Sequence, residues 1–508
     1  MSETRLVRGR WVLAEEGVRT GAAVRIAGDS IAEIGDWAEL RARHPAAEVV
    51  GSDRCAVIPG LINAHHHSSA VSALQQGIPD RILEAWLVTL SLARGVDPRL
   101  ATLLSAARLL RSGVTSVVDV HSDSGTPEIY DANARAALAG YDAAGLRVAF
   151  AIGVTTQCFL VAGPGGDERF LASLPDDDLR RYAASRLPPA GSIDEDGFFG
   201  VFDGLRESYR QHPRIDLWFA PPGPQWVSDT FMQHIAEAAE RHDTGIQTHV
   251  TESLYEMLHG PRHYGKPTLH HLHELGVLGP RFSIAHGVWL TESEIDLLAE
   301  TGAALCHNPS SNLRLRAGIA PLNALLGRGA TVALGMDGTT LDDDEDFFTE
   351  MRLALRLHRT PRFDGPAPTP AQIFGMATTG GARLMRKEGR LGRIAPGHAA
   401  DLVLVDLERL TWPWVAPEAD PRDLLLMRAR AGDVDTVIVG GEVVLRDGRP
   451  TRFDLEEVGR EARAMLDAAG RSTEQAALVE RLLPHVEAYY RAWDIPELAP
   501  YTIYNSRR

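Results

Sequence analysis

Hydrophobic and polar positions alternate in short runs near the start of the chain, as in Leu6-Val7-Arg8-Gly9-Arg10-Trp11-Val12-Leu13, Ala23-Val24-Arg25-Ile26 and Ser30-Ile31-Ala32-Glu33-Ile34. A period of two, punctuated by Gly and Asp, predicts a meander of short strands over residues 5–58. The same rhythm returns over 400–406 and 436–444. One small β domain built from both ends of the chain is therefore expected. Between these flanks, apolar runs alternate with amphipathic stretches. Helices are predicted over 99–112, 129–144, 231–242, 292–301 and 347–357, and strands over 116–119, 147–151, 217–220, 246–249, 283–286, 303–306 and 331–335. With the apolar run Val57-Ile58-Pro59-Gly60-Leu61-Ile62-Asn63-Ala64 that opens the series, the strands number eight, each followed by a helix or long loop. That is the count of a (β/α)8 TIM barrel. An open doubly wound sheet is the rival, and it is disfavoured because no GxGxxG follows the first strand.

The expected organisation is a first part of a β-sandwich over 1–58, a barrel over 59–390, the second part of the sandwich over 391–452 and a helical C-terminal extension over 453–508. Residues 160–200, rich in Gly and Pro, read as an insertion after the third strand. Such an insertion overhangs the barrel mouth, as a lid or as an indifferent surface excursion. The tail reads as helices over 454–469 and 475–493, then as coil containing Pro and Tyr. Its apolar spacing suits packing on the barrel or on a second subunit.

Composition narrows the functional classes. A net charge of −16 disfavours a general nucleic-acid or anionic-membrane surface. The chain lacks any apolar stretch near 18 residues, so no membrane span is expected, and the first residues lack the plan of a signal peptide. Three scattered cysteines, Cys55, Cys158 and Cys306, without CxxC, fit a reducing cytoplasm.

Chemistry-bearing residues recur at the ends of the predicted strands, where barrel active sites lie. His65 and His67 follow the first strand and share one side of it, with His66 on the other. His249 follows the fifth strand with Glu252 close behind, His286 ends the sixth, and Asp337 follows the eighth. Singly, each has a bland explanation as a buried hydrogen-bonded His or an Asp in a turn. Together, imidazoles with a carboxylate suit zinc or iron. The acidic run 342–346 reads as carboxylates at a helix N-terminus ahead of a trap for a cationic substrate. Asp119, His121 and Asp123 read as structural hydrogen bonding.

The segments Pro59–His67 (PGLINAHHH), His249-Val250-Thr251-Glu252, Ala285-His286-Gly287-Val288-Trp289-Leu290, His307-Asn308-Pro309-Ser310-Ser311-Asn312-Leu313 and Gly335-Met336-Asp337-Gly338 resemble the amidohydrolase superfamily. Within it they are similar to the aminohydrolase branch of guanine, cytosine and methylthioadenosine/S-adenosylhomocysteine deaminases and s-triazine hydrolases. The resemblance spans about residues 5–450 and not the tail. It implies a barrel with a sandwich from both termini. It also implies one divalent metal, zinc ahead of iron, on His65, His67, His249 and Asp337, with His286 binding the metal or its water. Two-metal relatives carry a carboxylated lysine at the end of the fourth strand. The only lysines here are Lys266 and Lys387, both elsewhere.

The reaction expected from these parts is deamination of an amino-substituted heterocycle (purine, pyrimidine, pterin or s-triazine) by a metal-activated water. Asp337 would take a proton, His286 would hold the oxygen and Glu252 would protonate the ring nitrogen. The rivals are hydrolysis of a cyclic amide or imine, displacement of a halide or N-alkylamine, and a non-catalytic scaffold. Gln76, Trp86, Gln225, Trp226, Trp289, Asn308 and Asn312 lie shortly after strand ends, where they can meet a planar ring. The expected partner is a small heterocycle, in a cytoplasmic homo-oligomer (dimer or tetramer).

Overall fold

The computed structural model describes residues 4–495 apart from positions 339 and 471; the terminal coil expected after 495 lies outside these residues. Eight parallel strands form one sheet in sequential order: β1 (Leu61–His66), β2 (Val114–Ser122), β3 (Arg147–Gly153), β4 (Ile215–Phe219), β5 (Ile246–Val250), β6 (Phe282–His286), β7 (Ala304–His307) and β8 (Thr331–Leu334). Each coincides with an expected apolar run to within a few residues. Buried on both faces, such strands read as continuous apolar segments instead of alternating ones.

The ring closes between β8 and β1 by few bonds. His66 and Asp337 form an isolated parallel bridge, and Asp337 N donates to His65 O at 3.0 Å. Side chains complete the seam. Met336 N donates to Asn63 Oδ1 at 3.0 Å, and the His66 Nδ1–H donates to Asp337 O at 2.8 Å. His66 points away from its neighbours, as strand alternation requires, and its Nε2 meets Ser105 Oγ at 2.8 Å on helix Pro98–Arg111. Gly335 sits at this seam because a Cβ there would lie 2.5 Å from Asn308 Oδ1 and 2.6 Å from Cys306 Sγ.

The alternating runs at the two ends meet in a single nine-stranded sheet, in which Glu48–Pro59 pairs with Thr4–Ala14 on one side and Leu402–Asp406 on the other. One face of it encloses its own core of Val12, Val57, Leu402 and Leu404. The opposite parity, Trp11, Leu13, Ala56, Ile58, Val403 and Val405, packs into the barrel's main core.

The 160–200 insertion contains two short helices that composition hides, Gly166–Ser173 and Asp177–Ala184. In the tail, Leu455–Ala469 packs on Pro98–Arg111. The last helix, Thr473–Arg491, packs on Leu83–Thr89 and on the insertion. Among the described residues, no helix is long and apolar enough to cross a membrane.

Candidate metal centre

Four imidazoles and one carboxylate converge at the C-terminal mouth of the barrel. His67 Nε2 lies 3.3 Å from His249 Nε2 and 3.4 Å from Asp337 Oδ1. His65 Nε2 is 3.6 Å from the same oxygen, and His286 Nε2 is 3.9 Å from Asp337 Oδ2. Donor atoms of His65, His67 and His249, and of His65, His286 and Asp337, each fall within 4.8 Å of one another.

The opposite ring nitrogens are all engaged. The Nδ1–H of His65 donates to Gln247 Oε1 at 2.8 Å, that of His67 to Val120 O at 3.2 Å, that of His249 to Pro222 O at 2.6 Å and that of His286 to Asn312 Oδ1 at 2.9 Å. Two of these acceptors are backbone carbonyls, which can only accept. Gln247 is oriented by its own Nε2, which donates to Ala64 O at 2.9 Å. A proton on every Nδ1 leaves a lone pair on every Nε2.

Burial favours the neutral form of three of these rings. It lowers the imidazolium pKa of His65, helped by His249 nearby. It pushes His249 down to about 3, with His286 and His67 adding to the effect, and it lowers His286. Burial alone would raise Asp337, but His286, His65, His67 and the Ser311 hydroxyl together hold its carboxyl below the ordinary range. Ser311 Oγ donates to Asp337 Oδ2 at 2.5 Å, and Gly338 N donates to Oδ1 at 2.7 Å. The buried Nε2 atoms of His65 and His286 have no hydrogen-bond partner. Lone pairs aimed at each other and at a carboxylate repel unless a cation sits among them. Neutral Nε2 donors with their far nitrogens tied to acceptors suit a divalent ion.

The backbone is bent to deliver these groups. His286 has φ 74° and Asp337 φ 56°, both left-handed conformations that side chains other than Gly, Asn and Asp seldom adopt. His286 is the last residue of its strand, and this turn brings its ring into the site.

Beside the imidazoles, Glu252 Oε2 lies 3.5 Å from His286 Nε2. Glu252 is 3 % exposed, and its Oε1 has no partner. Burial first, then Glu256, Asp337 and Glu84, push its carboxyl pKa well up. Its neutral form is thus favoured among the neighbouring carboxyls. Glu256, itself pushed up to about 7 by burial, accepts from Glu252 N at 2.7 Å and from Gln225 Nε2 at 2.8 Å. Glu84 accepts from Ser253 Oγ.

The expected ring-contacting residues divide. Gln225 is buried against Glu256, and Trp226 lines the same cavity beside it. Asn312 orients His286. Asn308 is fully buried at the seam with a free Nδ2. Trp86 is half-buried on helix Leu83–Thr89 with its indole N–H unpartnered. Gln76 instead accepts from Arg94 N at 2.7 Å, and Trp289 donates to Ala317 O at 2.7 Å in the loop after the next strand, so these polar groups are spent on loop backbone. In the acidic run, Asp346 caps helix Phe347–Leu357 and Asp343 pairs with Arg314 at 3.0 Å, the helix-start role expected there. Asp119 accepts from Ser68 N at 3.0 Å.

Gln247, Ser311, Glu256 and Glu84 escape sequence reasoning. Gln247 is two residues before His249 on the same strand face, and Glu256 one helical turn after Glu252. Those spacings are the signal available for them.

A family model described as "Amidohydrolase family" matches residues 56–444, and one for an imidazolonepropionase-like composite domain of bacteria matches 22–47. The chain is 32% identical over 479 residues to a 5-methylthioadenosine/S-adenosylhomocysteine deaminase of Nitratidesulfovibrio vulgaris, covering 92% of this chain and 98% of the relative. It is 31% identical over 474 residues to an 8-oxoguanine deaminase of Pseudomonas aeruginosa, covering 90% and 98%. Among solved structures, an adenosine deaminase from Xanthomonas campestris with bound zinc superposes with a TM-score of 0.77 at 27% identity, over 91% of this chain and 98% of the other.

Proposed function

Because this chain belongs to the amidohydrolase family, we propose that it is a metal-dependent aminohydrolase that releases ammonia or an amine from an amino-substituted nitrogen heterocycle. One observation carries this reading: neutral imidazole Nε2 atoms converge on Asp337 with every Nδ1 tied to an acceptor, beside the buried acid Glu252. His65, His67, His249 and Asp337 would hold one divalent ion, with His286 alongside. The zinc-bound relative favours zinc. Such an ion supplies Lewis acidity that brings the pKa of a water toward 7, from about 15.7.

The chain's own groups account for the proton movements. Asp337, kept as a carboxylate, accepts a proton from the attacking water. His286, its Nδ1 fixed by Asn312, presents Nε2 to hold that water's remaining hydrogen in line. Glu252, kept protonated, gives its proton to the ring nitrogen next to the attacked carbon. The new C–O bond leaves a tetrahedral carbon, the amino group departs with the proton that Asp337 relays, and the remaining O–H proton passes by way of His286 to restore Glu252. Water is consumed, ammonia is released and the ring carbon becomes a carbonyl. Deaminases among the relatives support the substrate class. The three free cysteines support a reducing compartment, the cytoplasm.

The test is ammonia release from a panel of purines, pyrimidines, pterins and aminotriazines by zinc-loaded protein, beside an Asp337→Asn control. Release from one class, abolished in the control, is expected. Silence across the panel from protein with one metal per chain would overturn deamination of these rings.

A further inference from the structure

Beside Glu256, which accepts from Glu252 N, the structure holds a cavity of about 140 Å3. Glu84, Gln225 and Glu256 give it polar wall. Much of its apolar wall comes from chain segments outside the barrel strands. Val161 and Phe170 come from the insertion, and Leu482, Val486 and Tyr490 from the last helix. Both lie outside the expected catalytic constellation, and the helix lies beyond the family match, which ends at 444.

These walls are fastened to each other. Ala162 N donates to Tyr490 Oη at 3.0 Å, Tyr489 Oη donates to Ala162 O at 2.7 Å, and Arg481 pairs with Asp176 at 2.7 Å. The helix is also tied to the catalytic side: Gln475 Nε2 donates to Ser91 O at 3.0 Å, and Val479 and Leu483 pack on Ala85, the residue after Glu84. Close packing is the rule in interiors, and voids larger than a water are few. A void kept open by two separate segments, and lined by the Glu256 that hydrogen-bonds the proposed general acid, has the properties of a subsite. In size it matches the engineered apolar cavity of about 150 Å3 that admits benzene.

We propose that the last helix and the insertion together form the specificity pocket of this enzyme, and that its substrate is an amino heterocycle carrying an apolar group of about benzene size that fills the cavity. The substrate part of this inference rests on the aminohydrolase reading; occupancy of the cavity does not.

Two measurements separate them. Toluene, used as a probe of the cavity alone, should raise the wild-type melting temperature. It should not raise that of Val161→Phe or Val486→Phe, which fill the cavity from opposite walls. Failure of toluene to protect the wild type overturns the proposal without touching the reaction. In the second, the reactive heterocycle is compared with its benzyl-substituted form. The wild type should prefer the substituted form by at least tenfold in kcat/KM. Either variant should raise KM for that form tenfold or more and leave the unsubstituted one unchanged. Equal turnover of both by the wild type overturns the pocket's role in specificity. If no heterocycle releases ammonia but toluene still protects, the deaminase reading fails and the apolar pocket stands.

Discussion

The Nδ1–H of His286 donates to Oδ1 of Asn312 across 2.9 Å, between the last residue of β6 and the helix after β7. Asn312 thereby fixes which nitrogen of His286 faces Asp337. Gln247 does the same for His65. Removing an acceptor of this kind costs 10–100-fold in metal affinity, as an order of magnitude. Gln247→Leu and Asn312→Leu should therefore lose zinc more readily to a competing chelator, Gln247→Leu the more so because His65 is a proposed ligand and His286 stands alongside. Unchanged zinc retention in both would show that the tautomers are held by something else.

Glu252 is expected to donate a proton and not to bind the metal. Glu252→Gln should lower kcat by about 10²–10⁴-fold while zinc content stays at one per chain, measured by elemental analysis of purified protein. Burial and neighbouring carboxyls raise its pKa above the ordinary carboxyl value, which favours the proton-donating form. Wild-type kcat should therefore fall on the alkaline side as Glu252 ionises. Loss of zinc in the Gln variant would make Glu252 a ligand.

Ser105 and His66 test the seam apart from the chemistry. Ser105→Ala removes the 2.8 Å partner of His66 Nε2. A buried polar atom left unpaired costs about 1–3 kcal/mol. Denaturant unfolding should show that loss, with zinc content and kinetic constants of the folded enzyme unchanged.

Glu350 gives a pH dependence of stability. Burial, with Asp337's charge adding to it, raises its pKa to about 8 despite hydrogen bonds from Ser310. In the unfolded chain it titrates near the ordinary value, 4.5. Between these values the folded protein binds a proton that the unfolded chain does not. This contribution to stability is therefore present in full below about pH 4.5, declines as pH rises and is gone above about pH 8. The slope approaches about 1.4 kcal/mol per pH unit for one group. Glu350→Gln should flatten the fall of unfolding free energy between pH 5 and 8; an unaltered profile would contradict the assignment.

What the sequence made legible follows from how each feature is encoded. The eight strands are dense apolar runs buried on both faces, so they stand out. His65, His67, His249, His286 and Asp337 are recognisable because polar groups are rare at the ends of such runs. Features that depend on a partner distant in the chain are hidden. Gln247 looks like an interruption of its strand until His65 lies against it. The loops after the strands set whether a side chain faces the site, and that turned Gln76 and Trp289 toward Arg94 and Ala317. The helix at 177–184 begins with three aspartates in a Gly- and Pro-rich stretch, a composition that reads as loop. Only the structure shows Asp176 capping it. The last helix, read from its apolar spacing over 475–493, runs from Thr473 to Arg491 despite Pro484 in its interior.

The bridge between His66 and Asp337 joins residues 271 positions apart, and proposed metal ligands lie on both sides of it. The full set of proposed ligands therefore comes together only after synthesis has passed residue 337 and the ring has been shut. A partial product ending earlier lacks the carboxylate that gathers the histidines, however many of them it carries. The complete proposed site is thus a late product of this polypeptide's assembly, coincident with the closing of the ring.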